Sequence, residues 1–229
     1  MTFNEKDKAV LIGLIMGDGH ISKENKLQIR HSKKQKDYCI YKAKLMHSVF
    51  GGDPIKVHNN ICKYIYKVGG VNIPKQCEQV WIQKGSKSLK YFRDLIYTDK
   101  GKTYSEEVLN MMNELSLMLW WLDDGNLNKH KSGSGSTCWT LRLSTYTTYE
   151  NAERIQKWFK ERWGINWYLK EPDKRSPNMW CLHCGKKEGE KFLSLFRERV
   201  LECVPSMAYK VLFDDTSARH SENMNDDIV

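Results

Sequence analysis

The chain has 229 residues, 40% of them hydrophobic and 28% charged, which is the balance of a folded protein with a sizeable core and excludes a mainly disordered chain. Its 37 Lys and Arg against 28 Asp and Glu give a net charge of +9, with 20 basic and 11 acidic residues up to Asn113 and 17 of each beyond it. A basic chain without a membrane-length apolar run most often meets a polyanion, so nucleic acid is the first partner class to consider and a bilayer the first to set aside. The amino end lacks the pattern of a secretory leader, and seven cysteines, an odd number, read as reduced thiols; an intracellular protein is expected.

In chain order, the first element is an apolar run, Leu11 to Gly19, ending in Gly-Asp-Gly. Being apolar nearly all round, it predicts a buried helix stopped by glycine, with Gly13 and Gly17 on one face where a second backbone can come close. Lys26 to Ser32 then alternates as a half-buried strand, and Tyr38 to Phe50 follows as a helix. Strands are expected at Ile55 to His58, Ile61 to Val68 and Val80 to Gln83, and a short helix at Leu89 to Ile96. Gly51-Gly52, Gly69-Gly70 and the segment Ser132 to Ser136 punctuate these elements as loops.

The order then begins again. Leu117 to Gly125 is a second apolar run, ending in Asp-Asp-Gly, and Asp124 lies 106 residues after Asp18. Thr140 to Ser144 repeats the strand, so that Arg30 and Arg142 are read as equivalent, and Tyr149 to Trp163 repeats the helix. Asn166 to Lys170 and Trp180 to His183 are the later strands, and Lys191 to Val200 is the closing helix. Residues 214–229 carry five acids and no apolar pattern and read as a loose tail. The expected organisation is a first repeat over 1–113, a second over 114–213 and the tail.

An aspartate at the carboxyl end of a helix faces an unfavourable dipole unless a cation offsets it. Two such helices side by side would bring Asp18 and Asp124 together, and paired carboxylates suit hard divalent ions such as magnesium. A single Asp-Gly after an apolar run is usually a turn, but two in matching contexts point to a metal site. In the post-motif strands, Gln28, Arg30 and Ser32 share one face, as do Thr140, Arg142 and Ser144. A β-ribbon fits the major groove, which makes these the candidate base readers, with Lys63 and Lys67 extending the contact to phosphates. Cys181-Leu182-His183-Cys184 lacks the second ligand pair of a structural zinc site, and the eight tryptophans read as core before stacking platforms.

The two runs, Leu11 to Gly19 and Leu117 to Gly125, resemble the paired motifs of the LAGLIDADG homing endonucleases, most closely the single-chain, two-motif members encoded in group I introns. The resemblance covers the chain to about Phe213. It implies an α+β fold of two pseudo-symmetric αββαββα repeats, a saddle of two antiparallel sheets with the motif helices at the central interface and double-stranded DNA beneath. It implies Asp18 and Asp124 as metal ligands, assisted by the backbone carbonyls of Gly17 and Asp123, and Lys102 and Lys210 as lysines lining the same site. It implies Mg2+ as cofactor, with Mn2+ able to substitute and Ca2+ supporting binding without cleavage, and a monomer as the active form. The absence of splice-junction blocks favours a free-standing enzyme over a splicing element. A second reading is an intron-RNA maturase or a non-catalytic DNA-binding regulator on the same scaffold. The second motif departs from the pattern: Met118 and Leu119 replace small residues and Trp120 and Trp121 are bulky, so the helix packing is expected to be asymmetric.

Overall fold

A computed structural model describes residues 3–68, 71–99, 101–131, 133, 137–170 and 179–213. The first repeat runs α1 (Glu5–Met16), β1 (His20–Ile21), β2 (Lys26–Ser32), α2 (Lys36–Phe50), β3 (His58–Val68), β4 (Val71–Gly85) and α3 (Leu89–Ile96). A short link follows, with β5 (Tyr97–Thr98), β6 (Gly101–Lys102) and α4 (Glu106–Asn110). The second repeat runs α5 (Glu114–Asp124), β7 (Gly125–Lys131), β8 (Thr137–Thr147), α6 (Tyr149–Trp163), β9 (Tyr168–Lys170), β10 (Trp180–Gly185), α7 (Lys186–Ser194) and α8 (Arg197–Cys203), then a 3-10 turn, Pro205–Lys210. The two four-stranded sheets have matching antiparallel orders, β1-β2-β4-β3 and β7-β8-β10-β9. The α+β repeat architecture is therefore present as expected. Among the described residues no helix is long and apolar enough to cross a membrane.

Several elements differ from their expectation for local reasons. Residues 55–57 form no strand, and β3 starts at His58, where pairing with Trp81 begins. The closing helix is two helices, because the backbone turns at Leu195–Phe196 and Phe196 is buried. Strand β7 had no alternating signal, since Asn126 and Asn128 flank its one apolar residue, Leu127. Gly69-Gly70, all of the serine-glycine segment but Gly133, and the 214–229 tail lie outside the described residues.

The two motif helices begin in capping boxes, Asn4 with Asp7 and Asn113 with Ser116, which satisfy the free amide donors of the first turn. They are then buried from Ala9 to Met16 and from Ser116 to Leu122. Their crossing depends on Gly13: a Cβ there would stand 2.7 Å from Ser116 Cα and 3.1 Å from Leu119 Cδ1. The Ser116 hydroxyl donates to the Ala9 carbonyl at 2.7 Å across the same contact. Serine thus supplies the small residue on α5, and the bulky Trp120 and Trp121 turn away into the second repeat's core, against Tyr104, Phe159 and Phe192. This is the asymmetry the sequence implied.

The crossing gives a test with a sign. Alanine is intrinsically about 1 kcal/mol better than glycine inside a helix. At Gly13 that gain should be overridden by overpacking against backbone, for a net loss of about 1–3 kcal/mol in Gly13→Ala. Equilibrium denaturation measures it, and a stabilised variant would show that the two helices have slack between them.

Candidate metal centre and nucleic-acid face

The carboxyl ends of α1 and α5 meet at one place, and the aspartates there are of three kinds. Asp18 follows the end of α1, with its side chain 43% exposed. Asp124 is the last residue of α5 and half-buried. Asp123, beside it, is wholly buried and forms an ion pair with the equally buried Lys42 of α2, Nζ standing 2.6 Å from Oδ1. The other carboxylate oxygen of Asp123, Oδ2, accepts the Asp18 backbone N–H at 2.8 Å. Asp123 can fit there because residue 17 is glycine: a Cβ on Gly17 would lie 2.0 Å from that oxygen.

Each helix end is capped by a lysine of its own half. Lys102 Nζ donates to the carbonyls of Ile15 at 2.5 Å and Gly17 at 2.7 Å. Lys210 Nζ donates to those of Leu122 at 2.7 Å and Asp123 at 3.1 Å. An ammonium at the last carbonyls of a helix both satisfies them and offsets the dipole. The carbonyls of Gly17 and Asp123, which the resemblance implied as ligands, are thus acceptors for these two lysines. Lys102 and Lys210, 108 residues apart in the chain, thus make equivalent contacts in space.

His31 of β2 and Lys42 complete the cluster and were not singled out from the sequence. His31 Nδ1 lies 3.3 Å from Asp18 Oδ2, and Nε2 lies 3.1 Å from Lys42 Nζ. Burial, followed by the Lys42 charge, pushes the imidazole down to about 3, so it is neutral at pH 7. With Lys42 donating to Nε2, the ring proton falls on Nδ1, the nitrogen that lies beside the Asp18 carboxylate. Asp18, His31 and Asp123 form a group close enough to share a metal ion, yet the Lys42 ammonium already occupies the Asp123 carboxylate.

Burial, then the charges of Asp123 and Asp18, push the Asp124 carboxyl up to about 7 despite the opposing influence of Lys102 and Lys210. Burial and Asp123 also raise Asp18. Asp123 moves the other way: the charge of Lys42, with the hydrogen bonds from Lys42 and from the Asp18 backbone N–H, outweighs its burial and keeps it ionised. Two carboxyls whose ionisation is resisted, held at converging helix ends, fit a divalent cation, which relieves the repulsion between them. The Asp124 shift also carries a sign. Its folded value lies above the ordinary carboxyl range, so without metal the carboxyl costs stability increasingly as pH rises from about 4 to about 7. A cation must displace the proton, so affinity for Mn2+ or Ca2+ should fall about tenfold for each pH unit below 7 and level off above. Calorimetry between pH 5.5 and 8.5 reads this directly. An affinity flat across that range would remove Asp124 from the ligand set.

The outward face of each sheet carries the proposed readers. Gln28, Arg30 and Ser32 lie opposite Gln83, Trp81 and Gln79, and Trp81 stacks on His58 at 4.5 Å. In the second sheet Thr140, Arg142 and Ser144 point outward beside His183, which stacks on Tyr168. The register corrects one expectation. His20 pairs with Gln28 and Asn126 with Arg142, each one residue past the motif glycine, so the counterpart of Arg142 is Gln28 and that of Arg30 is Ser144. The repeat spacing changes between motif and strand because the β7–β8 hairpin is longer than β1–β2. Strand alternation also sets Lys63, opposite Gln76, on the face away from Arg30, Trp81 and His58. The side chain of Lys67 lies outside the described residues. The same alternation sends Cys181 and Cys184 to opposite faces, which disposes of a shared zinc.

A family model described as the LAGLIDADG DNA endonuclease family matches residues 8–192. A structure described as the homing endonuclease I-WcaI bound to its DNA recognition sequence superposes with a TM-score of 0.69 at 21% identity, covering 93% of this chain and 89% of that one, which establishes a shared fold. Two curated relatives are RecA proteins. That of Mycobacterium shimoidei is 25% identical over 218 residues, 89% of this chain and 45% of that protein. That of Mycolicibacterium chitae is 27% identical over 131 residues, 54% of this chain and 27% of that protein. The chain therefore spans less than half the length of the curated relatives it matches.

Proposed function

We propose that this chain, which belongs to the LAGLIDADG DNA endonuclease family, is a monomeric, intracellular, site-specific endonuclease that cuts both strands of DNA with magnesium and promotes mobility of its own intron. The observation that carries the reading is the convergence of Asp18 and Asp124 at the ends of two helices, each end held by a lysine of its own half. A bound divalent ion would supply a nucleophilic hydroxide and charge for the developing phosphorane. The chain's own residues do the remaining work. Asp18 and Asp124 hold metal, Lys102 and Lys210 fix the helix ends and lend positive charge, and His31 orients Asp18. The outward faces around Gln28, Arg30 and Ser32, and around Thr140, Arg142 and Ser144, position the duplex. Keeping both aspartates and both lysines favours an enzyme over a maturase or regulator that only binds, since binding alone does not require them.

The test is incubation with a randomised duplex library and Mg2+, followed by sequencing of the new ends, with Ca2+ as a parallel binding arm. One recurrent long site cut on both strands is the expected result. Binding without cutting in Mg2+ would turn the reading to the regulator, and preferential binding of intron RNA would turn it to the maturase.

A further inference from the structure

The two halves of the metal centre are built differently. Helix α5 runs through Asp124, whereas α1 stops at Met16, two residues short of Asp18. Asp124 is therefore placed by its own helix, while Asp18 stands in a turn, at a backbone position that regular helical bonding does not fix. What meets the Asp18 N–H is the Oδ2 of Asp123, from the other repeat, at 2.8 Å. That carboxylate is fixed in turn by Lys42, which is wholly buried and also donates to His31, the residue that reaches the Asp18 carboxylate. Among the described residues the second half has no copy of this arrangement. The register counterpart of His31 is Thr145, whose hydroxyl donates to the Trp180 carbonyl at 2.8 Å.

We infer that the side chain of Asp123 is a positioning residue: anchored by Lys42, it sets the backbone of Asp18 across the interface between the repeats, so that one of the two catalytic carboxylates is placed by the opposite half of the chain. This rests on Asp18 and Asp124 being the metal-holding pair. A buried ion pair is costly to assemble and gives little net stability, but removing one partner leaves an uncompensated charge. Its value here is geometric. The Gly-Asp-Gly and Asp-Asp-Gly endings follow as complementary: glycine at 17 makes the space that the Asp123 carboxylate fills. The Asp18 site then depends on the docking of the two repeats, and the Asp124 site does not.

Single substitutions at Lys42 or Asp123 risk unfolding, so two double variants carry the test. Lys42→Met with Asp123→Leu removes both charges and the acceptor. Lys42→Met with Asp123→Asn removes the charges but keeps an oxygen for the Asp18 N–H. Amide hydrogen exchange of the metal-free protein is the first readout. In the leucine variant the Asp18 amide should exchange at least about tenfold faster while those of Asp124 and Gly125 are unchanged, and the asparagine variant should restore protection. The second readout is single-turnover cleavage of a duplex recovered from the library, each strand labelled separately. The ratio of the two strand rates should shift about tenfold in the leucine variant and return toward wild type in the asparagine variant. Equal protection of Asp18 in wild type and leucine variant, or equal slowing of both strands, would overturn the inference. Failure of the metal-pair reading shows elsewhere, as cleavage that survives Asp18→Asn, and leaves the exchange result intact.

Discussion

Asp18→Asn and Asp124→Asn should each slow double-strand cleavage by at least about a hundred- to a thousandfold, while DNA affinity in Ca2+ stays within a few fold of wild type. Asparagine keeps the shape of the side chain and gives up the charge that would hold a cation at the converging helix ends. The same substitutions should not weaken the metal-free fold. Asp124 is pushed up to about 7 by burial and by its neighbours, so at neutral pH it ionises only in part and against repulsion, and asparagine mimics its protonated form. Asp124→Asn is therefore expected to be neutral or stabilising without metal and inactive with it. That combination separates a functional carboxylate from a structural one. Thermal denaturation without metal and single-turnover cleavage with Mg2+ provide both halves. A destabilised but active variant would assign Asp124 to the scaffold and sink the two-aspartate site.

Much of this site was legible because the chain repeats itself. Two apolar runs closed by Asp-Gly, at matching places in two similar series of elements, located α1, α5 and the aspartates at their ends. The lysines came from the family resemblance, and their immediate partners, the last carbonyls of the helices, are a property of backbone position that no residue pattern displays. Lys42 was legible in principle. It lies on the buried stripe Tyr38, Cys39, Lys42, Ala43, Met46 and Val49, and a charge on such a stripe demands a partner. Its partner is 81 residues away, and which of the neighbouring carboxylates it takes depends on the helix crossing at Gly13. The equivalence of Arg30 with Arg142 failed for a related reason. Identity of residue type was matched along the sequence, whereas equivalence in a sheet is set by hairpin length and register. The position of Lys63 relative to Arg30 was not legible, because its parity passes through two strand pairings, which the sequence alone does not fix.

Lys102→Met and Lys210→Met should each lower single-turnover cleavage at pH 7 by about a hundredfold, and part of that loss should return as the pH is raised. Two effects act together. Each ammonium donates to the carbonyls that end a motif helix, so methionine leaves those acceptors uncapped in a part-buried place and loosens the turn that carries the aspartate. Each ammonium also favours the ionised form of Asp18 and Asp124, so its loss moves both carboxyls further up. Asp124 then binds its proton more tightly at pH 7, a cation competes less well, and the pH at which cleavage reaches half its maximum should rise in both variants. At pH 8.5 the protonation part of the defect disappears. What persists is the part due to lost capping and to positive charge missing beside the phosphate, and arginine in place of methionine should restore most of the first and little of the second, since its fork is larger and differently shaped. A pH profile for each methionine variant, set beside its arginine counterpart, divides the two contributions. If the profiles kept the wild-type midpoint and only the plateau fell, the lysines would act on the phosphate or the helix ends alone and not through the aspartates; an unchanged plateau and midpoint would return them to the surface.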